Sequence, residues 1–385
     1  MLIIKIKFIK VNMMTINELI RELKGKEVTC KKLGEICSIE KGEQLNKTLM
    51  AKDYKLPNFI YPVYNGGTNP SGYWNNFNVK KDTIIISQGG SAGYVNWIKE
   101  NFWASSHCFY LVNSKIDYRY LYFYLKFNQD KIYSLKRGAT IPGVAKEDLY
   151  NLDIYFPSLP YQQQIVKILD DFTELEAELE VELEARKIQY KFWLNYLISP
   201  NTFNKNNKEK IINLCDFKVG KDINDVSSWT GSVPVVSNSN IIYGFTNSSN
   251  CESCITVASR GEYAGQVIQF WKKQIWLAAR VIALIIKKNS PVDPKYLYYY
   301  MLTLKNKIAK LATSGTRPQV LKEDLYNFEI YYPSLEKQHL IVSILDQFNN
   351  LTSNLQDGIP AEIKLRKEQY QYYLKQLLNF NITND

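Results

Sequence analysis

The sequence predicts an α+β protein made of two like bodies, each running on into a long helix. Three observations predict it. First, Lys146-Glu147-Asp148-Leu149-Tyr150-Asn151 returns as Lys322-Glu323-Asp324-Leu325-Tyr326-Asn327, an offset of 176 residues (322 minus 146). The same offset carries Tyr120-Leu121-Tyr122 onto Tyr296-Leu297-Tyr298, and Ile154-Tyr155-Phe156-Pro157-Ser158-Leu159 onto Ile330-Tyr331-Tyr332-Pro333-Ser334-Leu335. Second, strand-like runs alternate with Gly, Pro and Asn clusters inside each body. Third, each body is followed by apolar residues at steps of three and four. The period marks a duplicated domain, because solenoid repeats have periods of about 20 to 50 residues.

The elements follow in order. Met1 to Val11 is apolar but broken by Lys5, Lys7 and Lys10, with no small-residue cleavage site behind it, which argues against a signal peptide. It reads as an edge strand, or as an upstream extension if translation starts at Met13 or Met14. Thr15-Ile16-Asn17-Glu18 has the form of a capping box opening a short helix to about Lys24. In the first body, runs such as Thr83 to Ser87 and His107 to Val112 lie between Tyr64-Asn65-Gly66-Gly67 and Gly89-Gly90-Ser91-Ala92-Gly93 and similar clusters. The second body repeats the plan with Ile255 to Ala258 and Val281 to Lys287. Each closes with Tyr- and Leu-rich helical turns, near 118–135 and 294–312. The expected domains are residues 1–160, a first long helix 161–200, a second body 201–337 and a second long helix 338–385.

Apolar residues space the long helices. Ile165, Ile168, Phe172, Leu175, Leu179 and Leu183 fall on one side of the first, and Ile341, Ile344, Phe348, Leu351 and Leu355 on one side of the second. With Glu and Asp on the other faces, each predicts a helix that packs along another. The economical partner for each is the other. Leu365-Arg366-Lys367 answers Ala185-Arg186-Lys187 at an offset of 180, so the second helix carries four extra residues around Gly358-Ile359-Pro360. An interior proline costs about 3 kcal/mol, and a kink or break near Pro360 is expected.

Composition narrows the class. The 385 residues fit two or three domains, and 45% hydrophobic content with mean hydropathy of -0.28 suits a soluble globular chain. No run approaches the roughly 18 apolar residues of a membrane span. Six cysteines are too sparse for a disulfide framework, so a reducing cytoplasm is the expected compartment. The net charge of +10 is unevenly spread. Basic residues number 22 against 14 acidic in residues 1–160 and 18 against 11 in 201–337, while 161–200 hold 4 against 8 and 338–385 hold 4 against 5. Two basic bodies alternate with two mildly acidic helices, a pattern suited to polyanion binding by the bodies.

The order of Gly-x-Thr-x-Pro turn (Gly138 to Pro142), Lys-Glu-Asp-Leu, aromatic-Pro-Ser-Leu, Gln162-Gln163-Gln164-Ile165-Val166 and long helix, given twice, resembles the specificity subunit of type I restriction-modification systems. The resemblance runs from about Lys31 to Leu378. It implies two target recognition domains, each reading one half of a split sequence in double-stranded DNA. It also implies that the two helices form an antiparallel coiled coil that sets the spacing and binds the methyltransferase subunits, with restriction subunits as further partners. S-adenosylmethionine, ATP and Mg²⁺ are then expected on those partners, and none on this chain. The copies differ in places. Gly315-Thr316-Arg317-Pro318 moves the glycine by one position, and Glu336-Lys337-Gln338-His339 replaces the glutamine run.

Phosphates supply most of the affinity in such an interface and base edges the selectivity. Candidates are polar residues on glycine-supported loops: Asn65, Gln88, Ser91, Arg137, Thr140 and Lys146 in the first body, and Asn238, Ser259, Arg260, Glu262, Arg317 and Lys322 in the second. Arg260 and Arg317 suit guanine O6 and N7, Gln88 and the asparagines suit adenine, and Glu262 suits the cytosine amine. A helix of about 35 residues, about 50 Å long, would hold the half-sites at a fixed gap. Catalytic motifs are missing. Cys251-Glu252-Ser253-Cys254 lacks the second pair a zinc site needs, and Glu362-Ile363-Lys364 lies on a helix face. There is no phosphate-binding Gly-x-x-x-x-Gly-Lys loop and no Asn-Pro-Pro-Tyr or Asp-Pro-Pro-Tyr. Methylation and cleavage are therefore assigned to other chains. The alternatives are a stand-alone sequence-specific nuclease, or a coiled-coil scaffold whose Tyr-rich bodies bind RNA.

Overall fold

The computed structural model describes residues 13–46, 48, 50, 51, 58–138, 142–199, 207–222, 226, 229–238, 242–312 and 318–380. The strand expected within Met1 to Val11 lies outside them. The chain forms two compact units, Met1–Leu179 with Ile363–Asp385, and Glu180–Glu362.

The first body contains α1 (Met13–Leu23), β1 (Thr29–Lys32), α2 (Leu33–Ile36), β2 (Ser38–Lys41), β3 (Tyr61–Tyr64), β4 (Gly72–Trp74), β5 (Thr83–Ser87), β6 (Val95–Ile98), β7 (Trp103–Ala104) and β8 (Cys108–Val112). It continues with α3 (Tyr118–Phe127), α4 (Gln129–Tyr133), α5 (Lys146–Tyr150) and β9 (Asp153–Phe156), and α6 (Leu159–Ile198) follows. Its sheets are β2-β8-β5-β6, β4-β3-β7 and the pair β1-β9. β5 sits inside the four-stranded sheet and is buried at every residue, as a strand covered on both faces must be.

The second body repeats this frame. It runs β10 (Lys208–Lys210), α7 (Ile211–Leu214), β11 (Cys215–Val219), β12 (Val233–Val236), β13 (Ile242–Thr246), β14 (Cys254–Ala258), β15 (Ile268–Trp271), β16 (Trp276–Leu277), β17 (Val281–Ile286), α8 (Pro294–Lys310), α9 (Lys322–Tyr326) and β18 (Glu329–Tyr331). The helices α10 (Leu335–Ser353) and α11 (Ile359–Leu378) follow. Its sheets are β11-β17-β14-β15, β13-β12-β16 and β10-β18, the same order strand for strand. Even the parallel strand pairing is repeated, Val63 with Trp103 in β3-β7 and Val235 with Trp276 in β12-β16.

Side chains hold the two frames in matching ways. Asn78 acts as a strand residue, its Nδ2 donating to the Ala104 carbonyl (3.0 Å) while its Oδ1 accepts from the Ala104 amide (2.7 Å). Asn250 does the same with Leu277, at 3.0 and 2.7 Å. Asp117 caps α3 by accepting from the Tyr120 amide, and Asp293 caps α8, where Pro294 takes the first position at no hydrogen-bond cost. The Tyr120 hydroxyl donates to the Tyr155 carbonyl (2.9 Å) and the Tyr296 hydroxyl to the Tyr331 carbonyl (3.1 Å).

Each body is fastened to its helix by a buried glutamine. Gln162 accepts from the Asp117 amide and donates to the Pro157 carbonyl, both at 2.8 Å. Gln338 accepts from the Asp293 amide (2.8 Å) and donates to the Pro291 and Pro333 carbonyls (3.0 and 2.9 Å). An acidic residue two turns on adds a second tie. Arg119 pairs with Asp170 at 2.6 Å and lies over the rings of Trp97, Tyr122 and Phe123, while Asp346 takes both Lys295 (2.6 Å) and the Tyr299 hydroxyl (2.5 Å).

Some expectations change. α1 begins at Met13, ahead of Thr15, so Thr15 is not its cap; burial of Ile16, Leu19, Ile20 and Leu23 fixes this helix instead. The break near Pro360 is present, between α10 and α11, and Pro360 falls in the first turn of α11, where its missing N–H is harmless. Ile165, Phe172, Leu175 and Leu179 are buried on α6, yet Leu169 rather than Ile168 fills the seam between them. Ile341 is likewise buried with Leu345 rather than Ile344, while Phe348 and Leu351 are half-buried. Leu355 lies past the end of α10 and is 76% exposed.

The long helices pair with each other antiparallel, as expected, with the second one in two pieces. In the first unit, Phe172 of α6 meets Tyr373 and Tyr370 of α11, with ring centroids 5.6 and 6.5 Å apart, and Glu176 pairs with Lys367 at 3.3 Å. Rising numbers on α6 meet falling numbers on α11, so the two run antiparallel. In the second unit, Leu194 and Ile198 of α6 share an apolar cluster with Ile341 and Leu345 of α10. Phe172 and Phe348 therefore belong to different units.

Candidate nucleic-acid interface

In the first body, four loops converge where β3, β5 and β7 end. The Ser91 amide donates to the Gly66 carbonyl (2.8 Å), the Gln88 amide to the His107 carbonyl (2.8 Å) and the Val144 amide to the Gln88 carbonyl (3.0 Å). Gly66, at φ +81°, comes so close that a Cβ there would lie 2.5 Å from the Gly89 carbonyl oxygen. No other residue fits. The Gly66 amide also points at the Cys108 sulfur (3.2 Å), and burial pushes that thiol up to about 11.

Asn65, Gln88, Ser91 and the backbone of the Arg137 segment, joined through Gly143 and Val144, are thus brought together. Their side chains differ in availability. Asn65 is half-buried and accepts from the Ser105 hydroxyl at 2.5 Å, a scaffolding bond. Arg137 is largely exposed but tied to Asp148 at 2.5 Å, and Lys146, at the start of α5, lies over the Tyr150 ring at 5.4 Å. Gln88 and Ser91 are half-buried at the loop surface. Thr140 lies outside the described residues.

The second body builds the same cluster with other side chains. The Ser259 amide donates to the Arg280 carbonyl, the Val320 amide to the Ser259 carbonyl and the Gly261 amide to the Pro318 carbonyl, all at 2.8 Å. Asn238 Nδ2 donates to the Arg260 carbonyl at 2.9 Å, the place where the first body uses a glycine. Ser259 is buried and supports the loop rather than facing out. Arg260 and Glu262 are exposed, and Lys322 sits 3.8 Å from Glu323 at the start of α9. Arg317 lies outside the described residues.

Two residues at this cluster escape the repeat offset. His107 and Arg280 occupy one structural position, each giving its carbonyl to the strand-end loop while its side chain is exposed. Arg280 holds φ +73°, a conformation that costs a non-glycine residue about 1 to 2 kcal/mol. Their separation is 173 residues (280 minus 107), so an offset of 176 passes them by.

A further exposed surface lies on α6. Ile188, Phe192 and Tyr196 follow one another at steps of four and are all exposed, and the Phe192 and Tyr196 rings stack at 5.9 Å. Trp193 meets both edge-on. Among the described residues no group of three or more His, Cys, Asp or Glu is placed to hold a metal ion, and no helix is long and apolar enough to cross a membrane.

The family described as type I restriction modification DNA specificity domain matches the chain twice, over residues 25–185 and 199–365. A putative type I restriction enzyme specificity subunit of Haemophilus influenzae is 29% identical over 396 residues, covering 93% of this chain and 97% of that one. A type I restriction enzyme specificity subunit of Escherichia coli is also 29% identical, over 93% and 96%. A putative type I specificity subunit of Mycoplasma pneumoniae is 32% identical over 75% and 90%. The crystal structure of a type I system S subunit from M. genitalium shares the fold, with TM-score 0.68 and 22% identity over 92% and 96% of the two chains. With the family domain matched in both halves and relatives aligned almost end to end, the chain belongs to the type I restriction-modification specificity subunits and carries two DNA recognition domains.

Proposed function

We propose that each loop cluster reads one half of a bipartite target in double-stranded DNA, and that the chain leaves methylation and cleavage to partner subunits. The single observation behind this is that one backbone frame, with the Gln88–His107 and Val144–Gln88 bonds repeated as Ser259–Arg280 and Val320–Ser259, presents Gln88, Ser91 and His107 in the first body but Arg260, Glu262 and Arg280 in the second. A fixed frame with exchangeable side chains is what separate readout of two half-sites requires. Arginine suits guanine, glutamine adenine and glutamate the cytosine amine, so the halves of the target differ in composition. Lys146 and Lys322 begin short helices beside the clusters and suit phosphate contacts.

The exposed face of Ile188, Phe192 and Tyr196 is assigned to a methyltransferase subunit. Apolar and aromatic side chains exposed together at helical spacing suit a protein partner rather than DNA. S-adenosylmethionine, ATP and Mg²⁺ belong with the partners, and restriction subunits complete the assembly.

The test is to exchange residues 201–337 for the matching body of a related subunit and to read the methylated sequence of the assembled complex. One half of the target changes and the other stays. A change in both halves, or in neither, overturns the proposal.

A further inference from the structure

One turn of the second body carries chemistry that recognition of DNA does not use. Cys251 and Cys254 bracket a four-residue turn at the start of β14, with Ser253 at φ +45° folding it. The turn is fixed on both sides. Cys251 exchanges backbone bonds with Ile275 (3.1 and 2.8 Å), Asn250 clamps Leu277, and Cys254 is locked in the sheet opposite Trp271. Both cysteines are reduced and share an apolar cluster with Val236, Ile275, Leu277 and Val281.

The two cysteines lie three residues apart on this turn and line the same cluster, and the Lys218 ammonium is anchored on the carbonyl of Asn250, the residue before Cys251. Interaction with the Cys254 thiol draws Cys251 down from the ordinary thiol range against the opposing effect of burial, with Lys218 and the Glu252 amide helping. Cys254 goes up. The remaining buried thiols behave in the opposite way to Cys251. Burial pushes Cys37 and Cys215 up to about 12 and Cys108 up to about 11. A thiol drawn toward the thiolate, with a second cysteine on the same turn, is the arrangement that oxidises readily and resolves to a disulfide.

We propose that Cys251 and Cys254 form a redox-active dithiol site that takes hydrogen peroxide or a small organic hydroperoxide and closes to an intramolecular disulfide. The Cys251 sulfur attacks one peroxide oxygen and the O–O bond breaks, leaving Cys251 as a sulfenic acid and releasing water or an alcohol once the departing oxygen gains a proton. The Cys254 sulfur then loses its proton and attacks the Cys251 sulfur. The S–O bond breaks, the S–S bond forms, and a second water leaves. Two electrons pass from the sulfurs to the peroxide, and an external dithiol reverses the change.

The first body has no such site. Its equivalent turn holds Val79, bridged to Phe102 as Cys251 is to Ile275, has Asp82 in the left-handed position, and leads into Thr83 at the start of β5. The oxidation therefore marks one half of the chain only.

The experiment treats the full-length protein with hydrogen peroxide at neutral pH and maps all six cysteines by peptide mass. A 251–254 disulfide is expected, forming roughly tenfold or more faster than any modification of Cys37, Cys108 or Cys215, and reversing with dithiothreitol. Cys254→Ser should stop the reaction at a Cys251 sulfenic acid that dimedone captures. Cys30→Ser should leave the disulfide yield unchanged. The proposal fails if the wild-type chain keeps both thiols free while other cysteines react, or if oxidation joins Cys30 to another chain in place of the 251–254 pair. The wild-type map decides the matter even where a variant does not fold.

Discussion

The two recognition bodies differ far less in their frames than in what their loops present. Strand order, the parallel strand pairing, the asparagine clamp and the buried glutamine all recur. The loop clusters recur in backbone bonding but not in side chains: a glycine pair at Gly66 and Gly90 in one, Asn238 against Arg260 in the other. Stability is thus held in repeated, buried bonds, while recognition is free to diverge at positions whose side chains reach solvent. The sharpest way to test this division is to damage matching positions and compare the outcomes.

The largest effect is expected from the helices. Phe172→Ala removes a buried ring stacked on Tyr373 and should cost about 3 to 5 kcal/mol in urea unfolding of the first unit. Phe348→Ala, at a half-buried position, should cost clearly less and affect the second unit. Equal losses, or strong coupling in the double variant, would break the separation of the two cores. Next come the glutamines. Gln338→Ala strands three backbone groups and should cost about 3 kcal/mol, against about 2 kcal/mol for Gln162→Ala, which strands two. A reversed order would refute the hydrogen-bond account.

The loops should give smaller effects. Gly66→Ala forces a left-handed alanine against the Gly89 carbonyl, for a loss of about 2 kcal/mol, whereas Gly261→Ala has its nearest neighbour, the Asn238 side chain, 3.5 Å away and should lose about 1 kcal/mol from its φ alone. Thermal melts would tell them apart. The smallest stability effects and the most selective functional ones belong to Arg260→Ala and Arg280→Ala. Each should weaken binding of the assembled complex by about 1 to 3 kcal/mol and relax only the half-site read by the second body. Titration against targets mutated in one half at a time would check this, and loss at both halves would contradict it.

The sequence carried the frame because a duplicated gene repeats its buried residues at one offset. Lys146 and Lys322, or Tyr120 and Tyr296, are found by a single subtraction. The loops were harder to read. Gln88 matches Ser259 at an offset of 171 and His107 matches Arg280 at 173, since residues are gained and lost in surface loops at little cost in closure entropy. Arg280 was missed for that reason. A left-handed arginine also leaves no mark in composition. In the helices, adjacent apolar pairs such as Ile168 and Leu169 make either residue eligible for the seam, and only packing against α11 selects Leu169. The division of labour between α10 and α11 is legible as well. Pro360 marks the break, and the antiparallel pairing expected of the long helices sets the residues beyond it against the first part of α6.

That last feature bears on how the protein is made. The first unit needs Tyr373, Leu374, Leu377 and Leu378 to cover Ile165, Leu169 and Phe172, and Tyr373 is synthesised 201 residues (373 minus 172) after Phe172. At bacterial elongation speeds of about 5 to 20 residues per second, roughly 10 to 40 seconds separate Leu179 from Leu378 on the ribosome. The first unit is therefore completed only after the whole of the second has been made. Throughout that interval it carries a greasy stripe for chaperones to guard, while the later half is already free to close.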